Sequence, residues 1–424
     1  MSETIGPVAF EAVRLLLASA SKQVTLGKLG THSKFMFGPP HVPTWMHNMG
    51  AEVYFNSAGL LEATLHLRHS GPSFLLALPI TEVENRLTSF LMESYWLISP
   101  YVFGTHSAEP FIALIPPPAV EQMAVQLQTS RLFAPQAFVT VFPLVPVLVE
   151  APFVSDSFFL VAPADLTSTL IASPGSTLTP DLFPPIPFEG KTEKPTAWLG
   201  VRAVSERHAK RLRNAVLGAI ALLPHHAERY FFSGRHMFGG QATFQGGKVG
   251  ISYGRACTPA LMTNLTICAS DQGWLRLLSA KLTSDDDTDR RQLRALEYFY
   301  RAWPLPAEDR VPWFFMALDA IFGDAAQHTQ VVVASLKAVG LHEYDEARFK
   351  LLMKLRAAVI HGGAPDVYDS SRYLDYFAQY RSDAVKDLER IVSRGLQDVI
   401  FQGTQTSRAH PYAAEIKAKW GIEP

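Results

Sequence analysis

The sequence predicts an α+β protein, with a mainly β N-terminal region followed by a C-terminal all-helical bundle. Three observations carry this expectation. Short apolar runs, several alternating with period two and many punctuated by proline, fill much of residues 1–172. From Arg290 to Phe401, successive segments instead repeat their apolar residues at helical spacing, with short connections between them. Between these regions, Ser173 to Ala197 is rich in Pro, Gly, Ser and Thr, the composition of a domain junction. A chain of 424 residues is also too long for one ordinary core. The expected division is a β-rich domain over 1–172, a mixed α/β connecting region over 198–283 and a helical bundle over 289–403.

Taken in order, Val8 to Ser21 places Val13, Leu16, Leu17 and Ala20 at helical spacing. Ala51–Phe55, Leu60–Arg68 and Ser73–Leu78 are short and read as half-buried strands, and helical spacing returns over Ile80–Tyr95. Charges are sparse from Phe111 to Ala172, so Phe138–Thr140–Phe142 and Phe158–Phe159–Leu160 read as strands buried on both faces. An amphipathic helix follows over Val204–Leu223, with Leu212, Val216, Ile220 and Leu223 on one face and Pro224 as its stop. Between Tyr230 and Lys281, Gly239-Gly240 and Gly246-Gly247 separate strand-like runs. The acids of Ser284-Asp285-Asp286-Asp287-Thr288-Asp289 suit the positive end of the helix that begins there better than a metal site. The bundle helices are expected over Arg290–Ala302, Val311–Gly323, Thr329–Val339, Ala347–His361 and Ser371–Phe401, with a polar tail after them.

Composition narrows the function classes. Hydrophobic residues at 48% and charged residues at 18% describe a globular chain, and a net charge of -1 excludes coating nucleic acid through bulk charge. Any RNA contact must come from local basic patches. One such patch is the first half of the Val204–Leu223 helix, where Arg207, Lys210, Arg211 and Arg213 form either a solvated face or an RNA phosphate track. Two cysteines, Cys257 and Cys268, are too few for a disulfide framework or a cysteine-rich zinc site and suit a reducing cytoplasm. No membrane segment is expected, since the apolar stretch Phe138–Val149 is short and broken by Pro143 and Pro146. Gly250-Ile251-Ser252-Tyr253-Gly254 matches a nucleophile elbow, but no βαβ rhythm surrounds it and a hairpin strand is expected. Gly246-Gly247-Lys248-Val249 fails the phosphate-loop pattern. His66, His69, His225, His226 and His236 lack zinc-ligand spacing. No cofactor and no metal are expected.

The chemistry concentrates in the fourth bundle helix. Phe349, Leu352, Met353, Val359 and Ile360 make an apolar stripe that Arg356 interrupts. A guanidinium cannot shed its charge, so Arg356 needs an anionic partner or a functional cleft. Lys350, Lys354, Ala357 and His361 form a second, more exposed stripe, and Gly362-Gly363 stops the helix after His361. From Val311 to Gly323 the one charge is Asp319, which is expected to be buried and paired with Arg356.

Met316-Ala317-Leu318-Asp319-Ala320-Ile321-Phe322-Gly323, a further helix, and then Arg356-x-x-x-x-His361-Gly362-Gly363 resemble the Apea-like branch of the HEPN family. Asp319 stands where that branch usually has Glu, and Ala357 where it often has a small polar residue. The resemblance covers about 289–403 and extends back toward the Val204–Pro224 helix. It implies a HEPN helical bundle and a metal-independent endoribonuclease of the kind found in toxin, antiphage and RNA-processing systems. It also implies a homodimer whose paired Arg–His motifs line one cleft.

The residue types suit that chemistry. Histidine transfers protons near neutral pH, and arginine stabilises phosphoryl oxygens through two N–H groups. Arg356 and His361 are the candidate catalytic residues, Asp319 and Lys354 support them, and Lys350 and the α-helical basic patch are candidate RNA contacts. The alternative is a non-catalytic HEPN module that binds RNA or protein, with the N-terminal region contacting a partner or ligand.

Overall fold

The computed structural model describes residues 6–23, 30–36, 50–105, 108–170, 193–224, 239–245, 248–261, 263–322, 328–360, 366–409 and 412–421. They belong to two compact units, Met1–Gln136 and Ala137–Pro424.

In the first unit, α1 (Pro7–Ser19) starts on a proline and buries Ala9, Ala12, Val13, Leu16 and Leu17 along one stripe. The strands β1 (Ala20–Ser21), β2 (Gly30–Met36) and β3 (Gly50–Asn56) form an antiparallel sheet in the order β1-β3-β2. The remainder is helical: α2 (Ser57–Ser70), α3 (Phe74–Ala77), α4 (Ile80–Val102), α5 (Phe111–Leu114) and α6 (Pro117–Thr129). Helix α1 packs against α2 and α6. Two strand expectations are corrected here. Leu60–Arg68 lies within α2 and Ser73–Leu78 around α3. In α2 the buried residues are Leu60, Ala63, Thr64 and Leu67, a helical set, while Leu61 and Leu65 are exposed. The Asn56 side chain starts the helix by accepting from the Gly59 amide. The region is therefore mixed, with more helix than strand, rather than mainly β.

In the second unit, β4 (Phe138–Leu144), β5 (Val147–Val149), β6 (Phe153–Val154), β7 (Phe158–Val161), α7 (Leu166–Thr169), β8 (Ala197–Ala203), α8 (Glu206–Ile220), β9 (Gly240–Gln245), β10 (Lys248–Tyr253) and β11 (Leu265–Ile267) precede the bundle. An antiparallel sheet runs β10-β9-β4-β8-β7-β6, with Thr140 opposite Val201 on one side and Thr243 on the other. Strands β5 and β11 pair in parallel. The Gly-Ile-Ser-Tyr stretch is a hairpin strand, β10, as expected. Strands β4 and β7 are buried almost throughout. One face of the sheet packs Val139, Val141, Phe159, Trp198 and Phe244 together. The other face, through Phe142, Leu160 and Leu199, joins a core that continues to Phe401.

This corrects the expected division at 172 and the separate region 198–283. Strands from both sides of the Pro/Ser-rich stretch lie in one sheet, because antiparallel pairing is indifferent to sequence distance.

The bundle consists of α9 (Gln272–Leu282), α10 (Asp287–Ala302), α11 (Ala307–Phe322), α12 (His328–Ala338), α13 (Glu346–Ile360), α14 (Ser371–Tyr380) and α15 (Ala384–Phe401), followed by α16 (Ala413–Trp420). Gln272–Leu282 is thus helix rather than strand. The acid cluster is consumed at the start of α10: Asp286 accepts from the Thr288 and Asp289 amides, Asp285 and Asp287 pair with Arg290, and Asp289 pairs with Lys281. The single helix expected over 371–401 is two. Arg381 turns left-handed (φ 52°), and Asp383 caps the next helix by accepting from Val385. Nor is the chain after Phe401 a free tail. Gln405 donates to the Ala219 carbonyl at 2.9 Å and Arg408 pairs with Asp271 at 2.6 Å. Among the described residues no helix is long and apolar enough to cross a membrane.

Candidate functional site

Helix α13 is held at its N-terminal half by a polar cluster that the sequence analysis did not anticipate. Asp345 accepts from the Arg348 amide at 2.7 Å. The Arg348 guanidinium lies 4.6, 5.6 and 4.8 Å from the Tyr344, Tyr376 and Tyr380 rings and bonds Tyr376 Oη and the Asp387 carboxylate. Tyr376 and Tyr344 also donate to Asp387, at 2.7 and 2.9 Å. Burial lowers the Arg348 pKa, but its bonds to Tyr376 and Asp387 outweigh this and raise it. Phe349, Leu352 and Leu355 are buried behind it.

This anchoring fixes the rotation of α13 and so the position of Arg356 in its last turn. Arg356 Nη2 meets Asp319 Oδ2 at 2.7 Å, joining α13 to α11. The guanidinium also lies 5.7 Å from the ring centroid of buried Phe315, one turn before Asp319. The predicted pairing is present, but Asp319 is not buried: its side chain is 39% exposed and that of Arg356 32%. The reason is the stripe. Leu355 rather than Ile360 faces the core, and Ile360 is 49% exposed, so Arg356 sits at the margin of the apolar face instead of inside it. Lys354 and Ala357 are exposed, and exposed Lys350 pairs with Glu346 at 2.6 Å. His361 and Gly362-Gly363 lie outside the described residues.

The basic patch on α8 is not a continuous track. Arg207 is exposed, but Lys210 pairs with Glu206 at 2.7 Å. Arg211 pairs with buried Glu297 at 3.3 Å, and Arg213 lies 5.0 and 5.9 Å from the Phe142 and Tyr300 rings. Helix α8 carries these two on the side that packs toward α10 and the sheet, where each already has a partner, although the Arg211 side chain stays 37% exposed. In the first turn of α8, His208 accepts from the Val204 amide, and burial, reinforced by Arg211, pushes its pKa down to about 4. His66 Nε2 lies 3.2 Å from the Val8 carbonyl oxygen, and His225, His226 and His236 lie outside the described residues.

Two further arginines were missed. Arg310 is buried against Glu389 at 3.4 Å, and its place in a helix start gave no sign of that partner. Arg291 on α10 donates Nε–H to the Ala320 carbonyl at 3.3 Å, next to Asp319. The spacing of arginines along α10 was the signal that could have found it. Asp319 and Arg356 therefore form a half-exposed pair in which one carboxylate orients a guanidinium, leaving N–H groups to bind an anion. Comparison of the chain with protein-family models, with curated proteins and with solved structures found no match to any of them.

Proposed function

We propose that the bundle over 289–403 is a HEPN-type, metal-independent endoribonuclease centre built on Arg356 and His361. The observation that carries this reading is the Asp319–Arg356 pair at 2.7 Å, which links the two helices bearing the two halves of the motif. Its partial exposure supports the reading further, since a purely internal tie would be sealed. In the reaction, His361 takes the proton of a ribose 2′-hydroxyl as that oxygen attacks phosphorus. The bond from phosphorus to the 5′ oxygen breaks, and that oxygen takes a proton from a second group, leaving a 2′,3′-cyclic phosphate and a 5′-hydroxyl. Arg356 stabilises the charge on the phosphoryl oxygens, with Asp319 fixing its orientation and Lys354 adding positive charge nearby.

A homodimer that brings the two α13 helices together supplies the second proton-transfer group as the partner's His361. Sedimentation at micromolar concentration is expected to give a dimer. A fully active monomer would remove this part of the reading. The setting implied by the HEPN resemblance is a cytoplasmic toxin or antiphage effector, with the N-terminal unit contacting a partner or ligand.

The test is cleavage of tRNA and mRNA resolved on gels. His361→Ala is expected to lower the rate by about 10²–10⁴-fold, and EDTA to leave it unchanged. Activity that disappears with chelator and persists in His361→Ala would overturn the assignment. The second reading is a non-catalytic RNA- or protein-binding module. It is favoured by the same contact, because Asp319 already engages the guanidinium. Wild-type protein that binds RNA and never cleaves it would establish that reading instead.

A further inference from the structure

Helix α10 carries a second basic feature. Arg291, Arg294, Tyr298 and Arg301 recur at i, i+3, i+7 and i+10. At about 100° per residue they fall within an arc of about 80°. All three arginines are exposed. The adjacent Arg290 is neutralised by Asp285 and Asp287, whereas among the described residues no carboxylate stands within ion-pair distance of Arg291, Arg294 or Arg301. Glu297, on the same helix, is buried and paired with Arg211, and Arg294 and Arg301 act on it only through longer-range electrostatics.

Aromatic rings complete the stripe. Helices α10 and α11 run antiparallel, placing Trp313 of α11 beside Tyr298, with ring centroids 6.3 Å apart and planes inclined at 35°. The Arg301 guanidinium carbon lies 5.0 Å from the Trp313 centroid and 5.9 Å from that of Tyr298. Both rings are partly exposed. At the other end, Arg291 donates to the Ala320 carbonyl, one residue from Asp319. The stripe thus spans about 15 Å, ten residues at about 1.5 Å each, and ends beside the Asp319–Arg356 pair.

We propose that this stripe binds single-stranded RNA, with its arginines on successive phosphates and the Tyr298–Trp313 pair under a base, and leads the strand to Asp319 and Arg356. A single row of guanidiniums matches one phosphate backbone rather than the two of a duplex. An aromatic platform accepts any unstacked base, which a duplex does not offer. The choice of RNA rests on the ribonuclease reading above; the capacity of the stripe to bind a single strand does not.

The test is fluorescence anisotropy with a labelled twelve-nucleotide single-stranded RNA, using the full chain carrying His361→Ala so that the strand stays intact. Each phosphate contact contributes about 0.7 to the slope of log affinity against log salt for single strands. Replacing Arg294 and Arg301 together with Ala is therefore expected to lower that slope by about 1.4 and the affinity by tenfold or more at low salt. Replacing both with Lys is expected to restore most of the slope, because a point charge suffices for phosphate. Both positions are exposed, and an unchanged thermal melt verifies the fold.

An unchanged slope in the double Ala protein overturns the proposal. So does equal affinity for duplex RNA, or binding to polyglutamate in place of RNA. Cleavage by the His361-containing protein separates this inference from the reading beneath it. If the chain cleaves RNA and the double Ala change leaves KM untouched, the stripe is wrong and the ribonuclease stands. If RNA binds through the stripe and is never cut, the stripe stands and the ribonuclease reading falls.

Discussion

Asp319–Arg356 and Arg348–Asp387 are both carboxylate–guanidinium pairs on α13, and their exposures set them apart. The first is about one third exposed, whereas the side chains of the second are 11% and 8% exposed. A solvent-screened pair contributes about 0.2–1 kcal/mol, while removing one partner of a buried pair costs about 3–5 kcal/mol by stranding the other charge. Asp319→Ala is therefore expected to change the melting temperature by a few degrees at most while sharply reducing RNA cleavage. Asp387→Ala should lower the melting temperature by far more. Equal losses in calorimetry would show that Asp319 holds the bundle together rather than serving a site.

The same cluster sets a pH dependence. Burial raises the Asp387 pKa, but hydrogen bonds from Tyr376, Ser382 and Arg348 outweigh it and hold the group below its ordinary value. With a depressed folded-state pKa, the unfolded chain binds more protons in acid. The contribution is therefore present above the unfolded value, about 3.9, and is lost as pH falls through the folded one. Denaturant titrations of Asp387→Asn should show a flatter loss of stability below about pH 4 than wild type. Parallel acid limbs would mean that other carboxylates dominate.

For whole elements, α8 approaches α10 so closely that a backbone atom fills the space of a side chain. A Cβ on Gly218 would lie 2.1 Å from the Leu296 carbonyl oxygen, which is backbone and cannot rotate aside. Gly218→Ala is expected to push the helices apart and cost about 1–3 kcal/mol, read as a lowered melting temperature. No loss, or a gain from the better helix former, would contradict this packing. Periodicity identified most elements because it is local: α1, α4, α8, α10, α11, α12 and α13 lie close to their expected spans. It failed at α2, where Leu65 and Leu67 alternate with polar neighbours and mimic a strand. Only the packing of α2 against its neighbours, α1 and α4 among them, decides that Leu67 is buried and Leu65 is not.

Across the whole molecule, the two compact units meet in sequence at Gln136–Ala137. Residues 137–424 produced alone are expected to unfold in one cooperative transition by circular dichroism. A chain beginning at residue 198 lacks β4 and β7, which flank β8 in the sheet, and the edge strand β6 beyond β7, and is expected to aggregate or remain unfolded. A soluble, cooperative 198–424 fragment would restore the junction at 172 as a true boundary.

The sequence by itself determined most of the helices between Arg290 and Phe401, the strands β4 and β7, the capping role of the acids before α10 and the pairing of Asp319 with Arg356. Each follows from spacing, from terminus chemistry or from the need of an isolated charge for a counter-charge. Tertiary structure alone decided the rest: which strands share a sheet, which arginines of α8 find partners, that Arg356 stands at the edge of the apolar stripe, and that Arg291, Arg294 and Arg301 of α10 lie exposed with no carboxylate of the described residues at ion-pair distance. These depend on which face each neighbouring element covers. Local sequence fixes the direction of a side chain around its own helix axis, but not what lies in that direction.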